Sequence, residues 1–312
     1  MAAKLYKTKK KWTMSQVTLL AMASLSVVFL AVFAYAPMFG IVLAFKDGDG
    51  VLNLTSAVFN SDWVGLRNFK MFLSDSVFLK IMKNTIVLNL LQLLICFPAP
   101  ILFALLLNEI ASQKIKRFAQ TISYLPHFLS WVIFAGIVLS LINLDTGAVA
   151  KLFINLKIVP PETDIAGEAD YFYTLIIITS LLKGIGWGSI IYLAAISGID
   201  VTLYEAATID GANRFHKIRY ITFPSIAPQI TLFFLLSVSS LLNSGVEHIL
   251  AFQNQINISA SEVVDTFVLK YGLTRFFYSY ATAVGLFKSG VALLLLITSN
   301  FISKKTTGNG IF

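Results

Sequence analysis

The sequence predicts an all-α integral membrane protein with six transmembrane helices, and three observations support that fold class. Hydrophobic residues make up 57% of the 312 residues, and the mean hydropathy is +0.78. Charged residues make up 13%, about half the share usual in soluble domains. The apolar residues gather into six long runs without strand-like alternation. In lipid, only helices and closed barrels satisfy the backbone, so we expect helices.

The six runs define the predicted spans, in order, at about 15–45, 81–108, 119–143, 171–197, 223–244 and 276–302. The first run is uncharged from Val17 to Phe45. It is too long for the apolar core of a signal peptide, about 7–15 residues, so we interpret it as a retained span. Pro98 and Pro100 predict a kink in the second span, and the third contains Pro126.

The distribution of Lys and Arg predicts the topology. An even number of spans places both termini on one side of the membrane. Basic residues are denser in 1–14, 109–118, 198–222 and 303–312 than in the three segments opposite, so we expect those four in the cytoplasm. The predicted organisation is one membrane domain, 15–302, with a cytoplasmic basic arm, 1–14, and a cytoplasmic tail, 303–312.

The polar segment 198–222, which we call the docking segment, carries the most informative motif. It contains Glu205-Ala206-Ala207 and then Asp210-Gly211-Ala212. Thr202 and Glu205 have the spacing of a capping box, and Asp200 is a competing N-cap. The small alanines favour a helix and let another protein surface approach the backbone, and Gly211 breaks or bends that helix.

This pattern resembles the EAA loop of the permease subunits of binding-protein-dependent ABC importers. Further matching motifs stand at 97–100, 105–109, 124–128, 186–196 and 281–288. Together they are similar to carbohydrate importers, in particular the polysaccharide-permease-like branch of the maltose-permease-like group, over roughly residues 15–312. The sequence departs from that branch at Val201-Thr202, where Pro-Glu is usual, and at Phe223, where Leu is usual.

The resemblance implies the type I permease fold of ABC importers, in which a cytoplasmic EAA docking loop couples to the ATPase. The residues that match the loop are Glu205, Ala206, Ala207, Asp210, Gly211 and Ala212. It also implies a bacterial cell membrane location and four kinds of partner: a second homologous permease, two ATPase subunits, an extracellular solute-binding protein and a sugar substrate. Each permease would form half of the translocation pathway.

No cofactor is expected on this chain. It has no GxxxxGK[ST] phosphate loop, so ATP and Mg²⁺ would be bound by the partner ATPase subunits and the chain would not be an enzyme. One cysteine and three histidines lack metal-ligand spacing, so no metal site is expected. The net charge is +8, but the basic residues do not form a face with aromatic residues between them. Nucleic acid is therefore not an expected partner either.

Sugars are bound by aromatic faces and by hydrogen-bonding side chains. Seven side chains in or near the spans are therefore candidates for the substrate path: Lys183, Trp187, Tyr192, Tyr124, Trp131, Asn243 and Lys288. For each one, ordinary packing or an interfacial position is the competing interpretation. Lys183 and Lys288 lie deep in apolar runs, so each should face a subunit interface, a wet cavity or the free carbonyls of a kinked helix. Gly184, Gly186 and Gly188 indicate either close helix packing or a flexible path.

Other functions are not excluded by these patterns. An ion-coupled secondary transporter would be expected to show an inverted repeat and buried acids, and neither is recognisable in the sequence. A membrane enzyme would need a carboxylate or histidine constellation, for which Glu247-His248 is the one adjacent pair. An ABC permease for a solute other than a sugar is also compatible.

Overall fold

A computed structural model describes residues 13–160 and 162–307. Regular structure in these residues is helical, apart from an isolated antiparallel bridge between Lys46 and Trp63. The predicted basic arm, 1–14, lies almost wholly outside the described residues, and so does the second half of the predicted tail, 303–312.

The helices that carry the architecture are numbered along the described chain. They are α1 Met14–Phe45, α2 Leu54–Asn60, α3 Arg67–Ser74, α4 Ser76–Glu109, α5 Gln113–Phe128, α6 Trp131–Ile142, α7 Ala148–Asn155, α8 Ala169–Ser197, α9 Val201–Ile209, α10 Arg214–Ser239, α11 Val246–Phe252, α12 Ile258–Ser261, α13 Val264–Leu269 and α14 Tyr278–Thr307. Five are long and apolar enough to cross a membrane: α1, α4, α8, α10 and α14. If the bent pair of α5 and α6 is counted as one span, the described chain has the six predicted spans.

Helix α1 begins at a capping box in which Thr13 and Gln16 exchange hydrogen bonds. It continues through a π turn and a final 3₁₀ stretch to Phe45, as predicted for the first span. Its residues are unburied from Met14 to Val42, and only Leu43 and Ala44 at the far end are buried. The apolar surface of α1 is therefore largely free of contacts with the rest of the described chain, except in its last stretch, Phe39–Phe45, which packs against α14.

The segment between α1 and α4 is fastened to the start of α14. The Asp49 carboxylate accepts hydrogen bonds from the Ser279 and Tyr280 amides at 2.7 and 3.2 Å, which satisfies two of the free donors at that helix end. Burial raises the pKa of Asp49 above its ordinary value, and the amides of Tyr280 and Ser279 act against that rise. The segment thus holds the first and last spans together.

The third predicted span, 119–143, is not a continuous helix. Helices α5 and α6 meet at a bend of 108°, with residues 129–130 between them. The physical reason is local. Pro126 sits in a closing 3₁₀ turn, Leu125–Phe128, and Ser130 then starts α6 by accepting from the Ile133 amide at 3.3 Å.

Helix α8 is the centre of the bundle, and two of the three main cores pack against it. One core joins α8 to α4, α6 and α11 through residues that include Leu88, Ala135, Phe172 and Ile249. The second joins the other half of α8 to α4 and α10 through Ala104, Leu193 and Ile226. A third core, away from α8, joins α3, α4, α13 and α14 around Phe72 and Phe267.

The last two spans differ from their predicted limits, 223–244 and 276–302. Helix α10 begins at Arg214, inside the docking segment, passes through a π turn and ends at Ser239. The connection that follows was expected to be a polar loop. It instead forms three short helices, and its Ile249, Phe252 and Val263, the last just before α13, are buried in the core. Alternating polar and apolar residues conceal such packing in the sequence.

Candidate functional site

The docking segment folds into α9, a glycine turn and the start of α10. Of the two predicted N-caps, Asp200 is used, and its carboxylate accepts from the Thr202 amide at 2.9 Å. Thr202 itself lies inside the helix, so the predicted capping box with Glu205 is wrong. The hydrogen bond from the Thr202 amide lowers the pKa of Asp200 below its ordinary value.

The turn after α9 depends on Gly211, whose φ of +78° is left-handed. The Ala212 amide donates to the Ala207 carbonyl at 2.8 Å and closes the turn. Asn213 then caps α10 by accepting from the His216 amide at 2.9 Å. Glycine adopts the left-handed conformation without strain, which explains the helix break predicted there.

The docking segment presents an open surface on a braced support. Glu205, Ala206, Asp210 and Gly211 are exposed, and Ala207 and Ala212 are half-buried. Two large apolar side chains beside them are also exposed, Ile209 at 88% and Phe215 at 65%. The bracing comes from hydrogen bonds of 2.9 Å between the Tyr204 and Thr222 hydroxyls and of 2.8 Å from Lys217 to Thr208. Such an apolar surface is typical of a protein interface.

A cavity of ≈ 490 Å³ lies between α4, α8, α10 and the chain that follows α10. This volume is in the range of small-molecule sites. Its lining residues are uncharged: Asn89, Gln92, Leu93, Cys96, Phe97, Pro100, Gly188, Ile191, Tyr192, Phe233, Leu236, Ser237, Ser240, Leu241 and Asn243. The lining combines amides and hydroxyls with aromatic rings, which suits the polar edges and apolar faces of sugars.

Two of the seven predicted substrate-path residues, Tyr192 and Asn243, lie in this lining. A third, Lys288, reaches it indirectly, because its ammonium donates to the Asn243 Oδ1 at 3.3 Å. Asn89 adds a buried Oδ1 that has no hydrogen-bond partner among the described residues. A buried acceptor without a partner is costly unless a ligand or water completes it.

Lys183 lies elsewhere, at the break between α5 and α6. Its ammonium donates to the Pro126 and His127 carbonyls at 3.3 and 3.1 Å, and also to the Leu129 carbonyl. It lies 4.9 Å from the ring centre of Trp131. The free carbonyls that it caps belong to the bent third span. This arrangement is the structural alternative predicted for a deep lysine.

The other three path candidates, all aromatic, surround the same break. Trp131 stacks on His248 at 3.7 Å, and the His248 Nε2 lies 2.9 Å from the Thr179 hydroxyl. Trp187 stacks on His127 at 4.3 Å. Tyr124 precedes the 3₁₀ turn as its N-cap residue. The structure thus divides the seven residues into a cavity group, Tyr192, Asn243 and Lys288, and a break group, Lys183, Trp187, Tyr124 and Trp131.

The three glycines of α8 differ in their surroundings. A Cβ on Gly186 would lie 2.2 Å from the Ser123 carbonyl oxygen, so α5 packs directly on this glycine. A Cβ on Gly188 would lie 3.0 Å from Pro100 in the cavity wall, and one on Gly184 would meet nothing within 4 Å. Close packing therefore accounts for Gly186, whereas Gly188 belongs to the cavity.

Sequence reasoning missed Asp265, which pairs with Lys288 through a direct contact. The pair is mostly buried, with side-chain exposures of 18% for Lys288 and 11% for Asp265. The sequence did contain a signal for this pair. Lys288 lies deep in an apolar run and had no predicted partner, and Asp265 is an acid in the segment just before that run. Ser237 and Ser240 were also missed, because short polar residues in spans commonly bond their own backbone, as both hydroxyls do here. Gln92 was missed as well, and its amide donates to the Ser180 hydroxyl of α8 at 3.4 Å.

The family of this chain follows from its sequence. Residues 96–307 match the family described as "Binding-protein-dependent transport system inner membrane component". The match covers more than half of the chain. The chain belongs to this family. The permease is thus a multi-pass membrane subunit of an ABC importer and not an enzyme, and the resemblance found in the docking segment is confirmed at the level of the family.

Three similar proteins extend the comparison. The permease is 40% identical over 284 residues to Protein LplB of Bacillus subtilis, which covers 91% of the permease and 87% of LplB. It is 38% identical over 285 residues to the polygalacturonan/rhamnogalacturonan transport system permease protein YteP of the same organism, with the same coverage. A chain of a bacterial alginate ABC transporter, solved in complex with an alginate pentasaccharide-bound periplasmic protein, aligns with a TM-score of 0.84 and 32% identity. That alignment covers 95% of the permease and 97% of the transporter chain.

Proposed function

We propose that the permease imports oligosaccharides or polysaccharides as one half of an ATP-driven translocation pathway. The observation that carries this proposal is the likeness, over 95% of the chain, to a subunit of an alginate transporter. The relative YteP, named for polygalacturonan and rhamnogalacturonan transport, supports the same substrate class. The uncharged cavity beside α8, with its amides, hydroxyls and aromatic rings, is the part of the path that this subunit contributes.

A second homologous permease completes the pathway. Support comes from α1, whose apolar residues between Met14 and Val42 are unburied within the described chain. Part of that surface faces lipid, and part is available to a second subunit. The cavity is also partly open, as expected for half of a pathway.

The docking segment binds one of two ATPase subunits, and these subunits supply the ATP and Mg²⁺. Exposed Ala206, Ile209 and Phe215 support this assignment because they offer a small and apolar surface. An extracellular solute-binding protein delivers the sugar, in keeping with the related alginate transporter, which was solved with a pentasaccharide-bound periplasmic protein. The docking segment and both termini then lie in the cytoplasm, and the permease resides in the bacterial cell membrane.

The proposed coupling is tested by Gly211→Asp. A charge placed in the ATPase interface should be tolerated by the free permease, since a Cβ on Gly211 meets nothing within 4 Å, but should lose several kcal/mol of docking energy by desolvation. Aspartate is one of the few residues that adopt the left-handed region, so the turn should form. We expect saccharide-stimulated ATP hydrolysis to disappear while the permease still inserts.

Gly50→Asp is the matched control. Gly50 has a φ of +77° and equally open surroundings, but it lies in the segment between α1 and α4. Its variant should keep saccharide-stimulated ATP hydrolysis. Normal import by Gly211→Asp vesicles would reject the coupling role, and import of a non-sugar solute in place of saccharides would reject the substrate class.

A further inference from the structure

The cavity has one wall that is not part of a long helix. Residues 240–245, which we call the wall segment, join α10 to α11 and place Ser240, Leu241 and Asn243 in the lining. The segment ends at Gly245, whose φ is +73°. Because its backbone makes few helical hydrogen bonds, its position depends on side chains from neighbouring helices.

Three helices supply those side chains. Asn89 of α4 donates through Nδ2 to the Ser244 hydroxyl at 2.8 Å. Asp265 of α13 accepts from the Ser244 amide through Oδ2 at 2.8 Å. Lys288 of α14 donates to the Asn243 Oδ1 at 3.3 Å. Consecutive residues of the wall segment are thus fixed by Lys288 and Asp265, which are themselves bonded to each other.

Loss of either charge would leave the other ion of this pair buried without its partner. Both side chains are mostly buried, so each ion is stabilised chiefly by the other and by the wall segment. A second ion pair on the same connection, Lys270 with Glu262 at 3.4 Å, is more exposed, and neither side chain hydrogen-bonds to the wall segment among the described residues. The Lys288–Asp265 pair is therefore attached to the wall segment by hydrogen bonds, and the Lys270–Glu262 pair is not.

We propose that Lys288 and Asp265 are positioning residues that hold the wall segment in the shape that forms the saccharide cavity and tie it to α14. The inference rests on the proposed function only in naming the occupant of the cavity. Movement of α14 relative to α10 would then move Asn243 and Ser240 with it. Neither charge needs to contact the sugar.

A native reporter is available for the test. Cys96 lines the cavity from α4, is half-buried and is the one cysteine of the sequence. Its rate of modification by an uncharged methanethiosulfonate reagent measures access to the cavity, independently of ATP hydrolysis. The rate should be measured in the purified full complex for Lys288→Met, Asp265→Asn and the double variant. Asn at 265 keeps an acceptor for the Ser244 amide.

We expect each single variant to change the rate of Cys96 modification by at least about threefold. The unpaired ion should displace the wall segment and change the populations of its conformations. The double variant removes both ions and should return to within about twofold of the unmodified protein. The control variant, Lys270→Met with Glu262→Gln, should leave the rate unchanged. In the import assay, each single variant should raise KM more than it lowers kcat, with recovery in the double variant.

Single variants with unchanged rates, or a double variant as altered as the singles, would overturn the proposal. Should a single variant fail to assemble, the double variant decides: assembly with a normal Cys96 rate supports the pairing, and the same failure overturns it. The pattern of Cys96 rates does not depend on which solute is imported. Absence of saccharide import by the unmodified complex would therefore reject the proposed function while leaving the positioning role intact.

Discussion

Replacing Lys183 by Met separates a structural lysine from one that contacts sugar. The ammonium donates to three carbonyls at the break of the third span, so its loss leaves acceptors unpaired in an apolar environment. The Pro126 carbonyl keeps a second donor, the Leu129 amide at 3.3 Å. The loss therefore falls mainly on the carbonyls of His127 and Leu129.

The size of the effect follows from those contacts. Each buried carbonyl left unpaired costs about 1–3 kcal/mol. The lost interaction with the Trp131 ring adds about 0.5–2 kcal/mol. The cost of placing a lysine in the membrane is similar in the packed protein and in the inserted but unpacked helices. It therefore largely cancels in the free energy of packing. We expect packing to weaken by about 2.5–8 kcal/mol, although membrane insertion should be at least as efficient.

Thermal unfolding of the purified complex provides the assay. A loss of that size should lower Tm by on the order of 5–10 °C. Lys83→Met, which removes an exposed lysine of α4, is the matched control and should have little effect. Import by Lys183→Met vesicles should fall in parallel with Tm. A normal Tm with slow import would instead place Lys183 in the sugar path, and normal values of both would refute the reasoning.

Two further predictions concern helix packing and capping. Gly186→Ala should destabilise by about 1–3 kcal/mol or more, because its Cβ would meet the backbone of Ser123, whereas Gly184→Ala, with open space, should be neutral or slightly stabilising in the same Tm assay. Asp49→Ala should cost about 0.5–2 kcal/mol by removing the cap of α14, and Asp49→Asn, which keeps the acceptor, should not. Because burial raises the pKa of Asp49, the charged carboxylate costs stability at pH 7, and Asp49→Asn should be more stable than the unmodified protein there. This difference in stability should vanish as pH falls through the pKa of Asp49 and the carboxyl becomes neutral. A larger loss for Gly184→Ala than for Gly186→Ala, or equal losses for both Asp49 variants, would contradict these accounts.

Features that depend on neighbouring residues could be predicted from the sequence alone. The long apolar runs locate the spans because hydrophobicity is a property of each run, whatever it packs against. Asp200, one of the two predicted N-caps, and Gly211 define the limits of α9 through their own backbone preferences and a hydrogen bond to a nearby amide. The family resemblance rested on the same local pattern.

Features that join distant residues were decided by the tertiary structure. Pro126 marks the third span in the sequence, but the 108° break there was not predicted, and its stabilising partner, Lys183, comes more than fifty residues later. Asn89, Tyr192 and Asn243 meet at one cavity only because α4, α8 and the wall segment pack together. Asp265 belonged to a predicted external loop, and only packing placed it against Lys288. Composition reveals that a buried charge needs a partner, but only packing in three dimensions selects which residue provides it.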